Sequence, residues 1–325
     1  MSHNYPQLIK ENEYQEKIPH VCKALDKIRI AKTVKSNPKV SLYFEAYINP
    51  NATANVIILH GFSEFCQKYR ETIWYFYNLG LNVFIYDQRD HGFSSRYTPD
   101  SQLLNIERFE EYSQDLEFII NNEISVLAPN LKHYVFSHSM GSAVAMYYSI
   151  KNPEGIEKLV LSSPLVTLKT GKIPPFAIKL LAKFTSKKNG LFSAFPMQKG
   201  FNPNVKFRDC SDMSKSRFNE NLNLRINNPA FRPSIATNSW MLESAKVKKF
   251  ICSKKNISNI KADILMFIAE TENTVKKKSQ LKLAKKLKNS KLIATKNSKH
   301  NIFSAGDETL QHYYKTIFDF FCQNN

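Results

Sequence analysis

The stretch from His133 to Met146 constrains the fold more than any other part of the chain. Its apolar start, up to Phe136, predicts a buried β-strand, and the small residues from Gly141 onward predict a helix. Ser139 lies at the turn between them, with a second small residue, Ser137, two positions before it. This layout is typical of a nucleophile elbow, which raises one hydroxyl above the edge of a sheet. Because small residues also cluster by chance, an ordinary strand-to-helix junction is the alternative.

The composition is that of a globular protein. The chain has 325 residues, 42% hydrophobic and 23% charged, which is enough to bury a large core. No apolar run is long enough to span a bilayer, and the polar, acidic residues 1–17 do not resemble a signal peptide. The five cysteines have no CxxC spacing. We therefore expect free thiols in the cytoplasm and no metal site.

The formal net charge of +18 suggests an anionic partner. Nucleic acid and anionic lipid headgroups are the two obvious classes. No nucleic-acid-binding module is visible and the basic residues are dispersed, so we expect no nucleic-acid partner. The alternative to any partner is a lysine-rich surface that is simply solvated.

Apolar runs alternate with amphipathic segments along most of the chain, which predicts an α/β fold with a mostly parallel sheet. Residues 1–25 are a polar lead-in in which a short helix can form. A hairpin of edge strands is expected at 27–34 and 41–48. Further strands are predicted at 55–59, 82–86, 133–136, 158–163, 264–268 and 291–295, and helices at 69–79, 106–124, 276–287 and 308–321.

This alternation stops at Pro164 and resumes near residue 261. The interval predicts a helical cap (residues 164–260) inserted into a catalytic domain made of residues 1–163 and 261–325. In the cap, one predicted helix has an apolar face and a lysine face: Phe176, Ala177, Leu180, Leu181 and Phe184 against Lys172, Lys179, Lys183 and Lys187. Such a helix can lie on an anionic membrane, or it can pack on the catalytic domain with its lysines in water, and the two interpretations are compatible.

An activated serine needs a base, and the base needs an acid to hold its tautomer. On a sheet of this kind the expected chain order is Ser, acid, His, each in a loop after a strand. Glu272 and His300 occupy those two loops. Glu270 is two residues from Glu272 and could reach the same imidazole, so the identity of the acid stays open at this point.

Acyl transfer also needs donors for the oxyanion. The backbone N–H groups of Met140, directly after the serine, and of Phe62, after an early strand that ends in His60-Gly61, are placed for this role. We expect His60 to shape that loop rather than to transfer protons.

The chain resembles the α/β-hydrolase superfamily, and within it bacterial inner-membrane lysophospholipases and their monoacylglycerol lipase relatives. The similarity includes a D-x-R-x-x-G-x-S loop and the sequence Ser-His-Ser-Met-Gly around Ser139. It extends into the cap, where the matching residues are Arg217, Phe218, Asn221, Asn228, Pro229, Arg232, Thr237, Trp240, Glu243 and Ser244. Asp90 and Ser142 depart from the family pattern, which has glycine at both places, and Glu272 stands where monoacylglycerol lipases have Asp.

The resemblance implies an α/β-hydrolase fold and a serine hydrolase that cleaves a lysophospholipid or a monoacylglycerol through an acyl-enzyme, without a cofactor. It implies catalysis by Ser139, Glu272 and His300. Substrate contacts are expected from His60, Gly61, His138 and Trp240. A cytoplasmic protein that touches the inner membrane peripherally fits this picture, and the oligomeric state stays open. The alternatives are an esterase or peptidase acting on small soluble acyl substrates, or a binding protein that keeps the fold without activity.

Overall fold

Ten strands are present in residues 5–171 and 173–323, the part of the chain that this computed structural model describes. They are β1 (Arg29–Asn37), β2 (Val40–Tyr47), β3 (Asn55–Leu59), β4 (Asn82–Tyr86), β5 (Leu103–Leu104), β6 (His133–His138), β7 (Lys158–Ser162), β8 (Ile235–Ala236), β9 (Asp263–Ala269) and β10 (Ser290–Thr295). The short strands β5 and β8 pair with each other. The other eight form one sheet in the order β1-β2-β4-β3-β6-β7-β9-β10.

The sheet is mostly parallel, as the sequence predicts. All pairings from β4 to β10 are parallel, and the β1–β2 hairpin joins the edge at β4 by antiparallel pairing. The helices are α1 (Tyr14–Ile28), α2 (Arg70–Asn78), α3 (Glu110–Ile119), α4 (Ser125–Leu127), α5 (Met140–Lys151), α6 (Pro175–Asn189), α7 (Lys215–Asn227), α8 (Asn238–Ile251), α9 (Lys254–Ile257), α10 (Lys277–Ala284) and α11 (Asp307–Cys322). A π-helical turn, Ile120–Ile124, continues α3.

The core lies on both faces of the sheet. In β3, Ile57 and Leu59 face one hydrophobic cluster, which side chains of α3, α5 and α8 complete. Val56 and Ile58 face the other cluster, which side chains of α1, α2 and α11 complete. A strand buried on both faces needs an apolar run rather than an alternating pattern, and this is why β3 was recognisable in the sequence.

The segment between β7 and β9 adds no strand to the main sheet within its described residues. It holds α6 to α9, and α8 packs against both α5 and α6. An ion pair ties α7 to the sheet-flanking helices, because Arg217 donates two hydrogen bonds, of 2.6 and 2.9 Å, to the carboxylate of Glu71 in α2. This segment includes residues 164–260, which the sequence predicted to form the cap. Lys172, which the sequence placed on the basic face of the cap helix, lies outside the described residues.

The N-terminal part of the chain is more ordered than the sequence suggested. Instead of a polar lead-in with a short helix, α1 has 15 residues. Tyr14, Ile18, Val21 and Leu25 recur at helical spacing and are buried against the sheet cluster on that face. Burial of one apolar stripe therefore stabilises a helix whose other residues are polar.

Candidate active site

The turn between β6 and α5 holds Ser139 in an unusual backbone conformation, with φ 49° and ψ −112°. Positive φ is uncommon for a residue with a side chain and costs conformational energy. Two hydrogen bonds hold the turn: the Ser139 N–H donates to the Ser162 carbonyl at 3.0 Å, and the Leu165 N–H donates to the Ser139 carbonyl at 2.9 Å. Strained backbone that is held by its surroundings is characteristic of functional sites.

Close packing explains the small residues around this turn. A Cβ atom at Gly141 would overlap the carbonyl oxygen of Leu59 in β3, so only glycine fits where α5 meets the sheet. Ser137 and Ser142 are fully buried, and their hydroxyls lie 3.1 Å apart. Ser137 also donates to the Val160 carbonyl at 2.7 Å. Both hydroxyls, including that of Ser142 where the family pattern has glycine, are therefore satisfied inside the protein.

The three predicted catalytic side chains meet at the carboxyl edge of the sheet. His300 Nε2 lies 2.9 Å from Ser139 Oγ, and His300 Nδ1 lies 2.9 Å from both carboxylate oxygens of Glu272. Glu272 Oε1 also accepts the N–H groups of Thr274 at 2.9 Å and Val275 at 3.1 Å. A serine, an imidazole and an oriented carboxylate in this sequence of contacts can deprotonate the serine.

Glu270, the alternative acid, points elsewhere. Its residue is exposed, and its Oε2 accepts the backbone N–H of Asn297 at 2.8 Å. Of the two glutamates in this loop, Glu272 is the one in contact with His300. The assignment of catalytic roles to Ser139, Glu272 and His300 stays a prediction, which we take up below.

Burial and hydrogen bonding tune the two titratable partners of the serine. Burial lowers the pKa of His300 below its ordinary value, although the hydrogen bond to Glu272 opposes this. For Glu272, burial alone would raise the pKa. The hydrogen bond from His300 and those from the Thr274 and Val275 amides outweigh it, and the pKa is lowered. At neutral pH the imidazole is thus neutral and the carboxylate charged, as a general base and its partner require.

A cavity of about 360 Å³ opens onto Ser139 and His300. Much of its wall is apolar: Phe62, Leu165, Leu168, Val205, Phe218, Leu222, Ala236, Trp240 and Met241. The N–H of Met140 is the first of α5 and has no acceptor within the helix. Among the described residues, the N–H of Phe62 also donates no hydrogen bond. Both predicted oxyanion donors are therefore free to bind a ligand.

A family model described as "Serine aminopeptidase, S33" matches residues 50–307. The chain belongs to this α/β-hydrolase family. The match includes all three of Ser139, Glu272 and His300, and it extends across the segment between β7 and β9.

Three curated relatives of this hydrolase are named for activity on lipids. A probable lysophospholipase L2 of Haemophilus influenzae is 26% identical over 282 residues, which cover 86% of this chain and 87% of the relative. The lysophospholipase L2 of Escherichia coli is also 26% identical, over 58% of this chain and 55% of its own length. The monoglyceride lipase of Rattus norvegicus is 26% identical over 38% of this chain and 39% of its own.

Solved structures share the fold at lower identity. A soluble variant of the monoglyceride lipase of Saccharomyces cerevisiae superposes with a TM-score of 0.71 at 14% identity, over 90% of this chain and 94% of that one. The monoacylglycerol lipase of Paleococcus ferrophilus gives a TM-score of 0.65 at 20% identity, over 86% and 97%. These superpositions confirm the predicted α/β-hydrolase fold.

The four predicted substrate contacts divide into two pairs. His138 and Trp240 line the cavity of this hydrolase, but His60 and Gly61 do not. His60 is fully buried: its Nε2 accepts the N–H of Gln88 at 2.9 Å, and its Nδ1 lies 2.8 Å from the Gly61 carbonyl. One ring nitrogen therefore contacts the loop of His60 and the other the loop after β4, so both are engaged and the side chain has no surface facing the cavity.

A buried ionic cluster beside the site escaped the sequence analysis. Glu64 belongs to the same loop as Phe62 and accepts hydrogen bonds from the Gly61 N–H at 2.5 Å, Lys68 at 2.6 Å and His138 at 3.0 Å. Burial alone would raise the pKa of Glu64, but His138 and Lys68 hold it well below its ordinary value. The i, i+4 spacing of Glu64 and Lys68 was the available signal, although it usually marks an exposed helix pair.

The Asp90 departure from the family pattern also has a structural explanation. Asp90 has φ 65°, a conformation that favours glycine. Its carboxylate accepts the N–H groups of Tyr97 at 2.5 Å and Asn105 at 2.7 Å. These two bonds offset the cost of a left-handed backbone, and Asp is among the residues that tolerate it best.

Proposed function

We propose that this protein is a serine hydrolase that cleaves the carboxylic ester of single-chain lipids, lysophospholipids or monoacylglycerols, through an acyl-enzyme. One observation supports this more than any other: Ser139, His300 and Glu272 are joined by two contacts of 2.9 Å at the wall of a largely apolar cavity. Residues 164–260 act as a cap that supplies most of the apolar wall.

In the proposed reaction Ser139 Oγ attacks the ester carbonyl carbon while His300 Nε2 takes its proton. The N–H groups of Phe62 and Met140 bind the resulting oxyanion. The intermediate then expels the glycerol oxygen, which receives the proton from His300. A water molecule attacks the acyl-enzyme, again with its proton passing to His300, and the fatty acid leaves as Ser139 regains its proton. Glu272 stays ionised and stabilises the imidazolium in both steps.

The cavity and the relatives both support the proposed substrate class. A wall of Leu, Val, Phe, Trp and Met side chains favours an acyl chain over a polar acyl group. The relatives named above are two lysophospholipases and a monoglyceride lipase. The description of the family as serine aminopeptidases supports a second candidate, an esterase or peptidase of small soluble substrates.

The test combines active-site labelling with a substrate panel. A fluorophosphonate should label the wild-type protein and leave Ser139→Ala unlabelled, whereas the matched Ser142→Ala variant, three residues away, should still be labelled. Fatty acid release is then measured from a lysophospholipid and a monoacylglycerol, beside cleavage of a short-chain ester and an aminoacyl amide. Lipid hydrolysis well above the other two rates supports the proposal. An unlabelled wild type, or preference for the soluble substrates, contradicts it.

We further propose that α6 contacts an anionic membrane. Phe176, Leu180 and Phe184, one helical turn apart, are 69%, 62% and 66% exposed, while Ile178 and Ala182 are buried in the cap. The exposed lysines of α6, Lys179, Lys183, Lys187 and Lys188, flank this apolar stripe. A basic helix with an unpartnered apolar stripe is suited to the interface of anionic lipid. Over the described residues, no helix is long and apolar enough to cross a membrane.

Vesicle sedimentation tests this contact. Phosphatidylglycerol vesicles should sediment the wild-type protein more than phosphatidylcholine vesicles do, and added salt should release it. The double variant Leu180→Ser, Phe184→Ser should lose most of this binding. Val126→Ser is the matched control, because Val126 is an apolar residue that is 74% exposed but lies outside α6. Equal binding of the double variant and the wild type would contradict the proposal.

A further inference from the structure

Arg225, in α7, lines the same cavity as Ser139 and His300. Among the described residues, no carboxylate lies within ion-pair distance of its guanidinium. The other cation in the cavity wall, Lys68, is paired with Glu64 at 2.6 Å. A half-buried cation without a counterion is costly, and its charge is compensated when an anion binds beside it.

The guanidinium of Arg225 is held in place but keeps free donors. Its Nε donates to the Phe231 carbonyl at 3.0 Å, and its Nη2 makes two long contacts of 3.4 Å, to Ser63 Oγ and the Arg232 carbonyl. Within the described residues, Nη1 donates no hydrogen bond. The group also lies over the ring of Phe201, at 4.8 Å from its centroid. A fixed guanidinium with an open edge is suited to planar, two-oxygen recognition.

Arg225 keeps its charge at neutral pH. Burial lowers its pKa to about 10, and the nearby Glu64 opposes that shift. The contact with Ser63 places the guanidinium next to the loop whose adjacent residue, Phe62, supplies a predicted oxyanion donor. In a lysophospholipid whose ester lies at Ser139, the phosphate is one glycerol backbone away from that donor.

We infer that Arg225 binds the phosphate of the lysophospholipid headgroup and so favours lysophospholipids over the uncharged monoacylglycerols. The inference rests on the proposed function and deepens it, because it names the charged group that the cavity selects. Asp212 also lines the cavity, where its carboxylate accepts a hydrogen bond from Asn301 at 3.0 Å. A wall with both signs of charge disfavours a free, highly charged anion and is compatible with a phosphodiester that arrives on an acyl chain.

The first experiment compares kcat/KM on lipids with one acyl chain in common: lysophosphatidylcholine, lysophosphatidylglycerol and monoacylglycerol, each in neutral detergent micelles. Loss of a charge-assisted, two-oxygen contact should lower kcat/KM of Arg225→Gln about 10- to 100-fold on both lysophospholipids, mainly through KM, and leave monoacylglycerol near the wild-type rate. Arg225→Lys should recover part of the loss. The matched control is Arg208→Gln, which removes an exposed guanidinium of the same segment and should change none of the three.

Equal losses on all three lipids would show a structural role for Arg225 and overturn the inference, as would unchanged hydrolysis of the lysophospholipids. A second arm measures binding of a lysophospholipid with an ether in place of the ester, by calorimetry, with inorganic phosphate as competitor. Affinity that falls in Arg225→Gln and resists phosphate supports a headgroup site. Affinity independent of Arg225, or displacement by phosphate alone, overturns it. If the wild type cleaves none of the lipids, the proposed function fails, and this binding arm still decides the role of Arg225.

Discussion

Replacing Glu272 with Gln should abolish most activity without unfolding the site, because of how the two carboxylate oxygens are used. Oε1 accepts two backbone N–H groups, from Thr274 and Val275. In the glutamine variant the amide oxygen must take that position, so the amide NH₂ faces His300 Nδ1. An amide NH₂ can only donate to Nδ1, so it favours the imidazole tautomer with its proton on Nε2, which cannot accept the proton of Ser139.

The wrong tautomer lowers kcat by about 10⁴-fold in serine hydrolases, which corresponds to about 5 kcal/mol of transition-state stabilisation. The pH profile adds a second signature. In the wild type, kcat/KM rises with pH as His300 loses its proton, and this limb lies below pH 6.5 because burial lowers the pKa of His300 from that ordinary value. Since the contact with Glu272 raises that pKa, its loss in Glu272→Gln moves the limb to still lower pH.

The assay is fatty acid release from one lipid across a range of pH, with circular dichroism to verify folding. Glu270→Gln is the matched control, since Glu270 lies in the same loop but bonds the Asn297 amide. The Glu270→Gln variant should keep the wild-type rate, and its kcat/KM should rise over the same pH range as in the wild type. The reasoning is refuted if Glu270→Gln loses as much activity as Glu272→Gln, or if the limb of Glu272→Gln moves to higher pH.

Two further substitutions test the packing that positions the site. Arg217→Met leaves the Glu71 carboxylate buried without its ion-pair partner. The free energy of unfolding, measured with urea, should therefore fall by about 3–5 kcal/mol. A decrease under about 1 kcal/mol would contradict this, because it is the value expected for a surface ion pair. Gly141→Ala should displace the elbow and abolish fluorophosphonate labelling, because the new methyl group overlaps the Leu59 carbonyl. The control Gly306→Ala has open space around its Cβ and should be labelled like the wild type, and equal labelling of both variants would contradict the steric argument.

The fold and the meeting of three distant residues could be predicted because parallel strands end at one edge of the sheet. Ser139 and Glu272 each follow a buried apolar strand, and such strands are visible in a sequence as uninterrupted runs. His300 follows β10, an edge strand in which only Thr295 is buried, and only the short apolar stretch from Leu292 to Ala294 indicated it. The choice between Glu270 and Glu272 could not be predicted in this way. It depends on which side chain the loop turns inward, and that is decided by the hydrogen bonds of Glu272 to Thr274 and Val275.

The cavity wall was harder to predict than the catalytic residues. Glu64 and Arg225 are 161 positions apart and belong to different elements, so nothing local indicates that both line one cavity. The helix α1 was underestimated for a different reason. Its buried residues form a narrow stripe among many polar ones, and its stability comes from packing on the sheet rather than from its own composition.

The charged groups around His300 explain how this buried site can hold two carboxylates, those of Glu64 and Glu272. The hydrogen bonds of Glu64 lead to His300 through His138, whose Nε2 lies 3.3 Å from the His300 carbonyl, and the charge of Glu64 raises the pKa of His300 less than the contact with Glu272 does. The charge of Glu64 is matched by Lys68 at 2.6 Å, so Glu64 can fix the Gly61 amide without a strong pull on the imidazole. Glu272 has no such cation beside its carboxylate among the described side-chain ion pairs, and its charge is left to stabilise the imidazolium that forms when Ser139 reacts. Because Lys68 neutralises the charge of Glu64, the charge of Glu272 is the one that stabilises the imidazolium of His300.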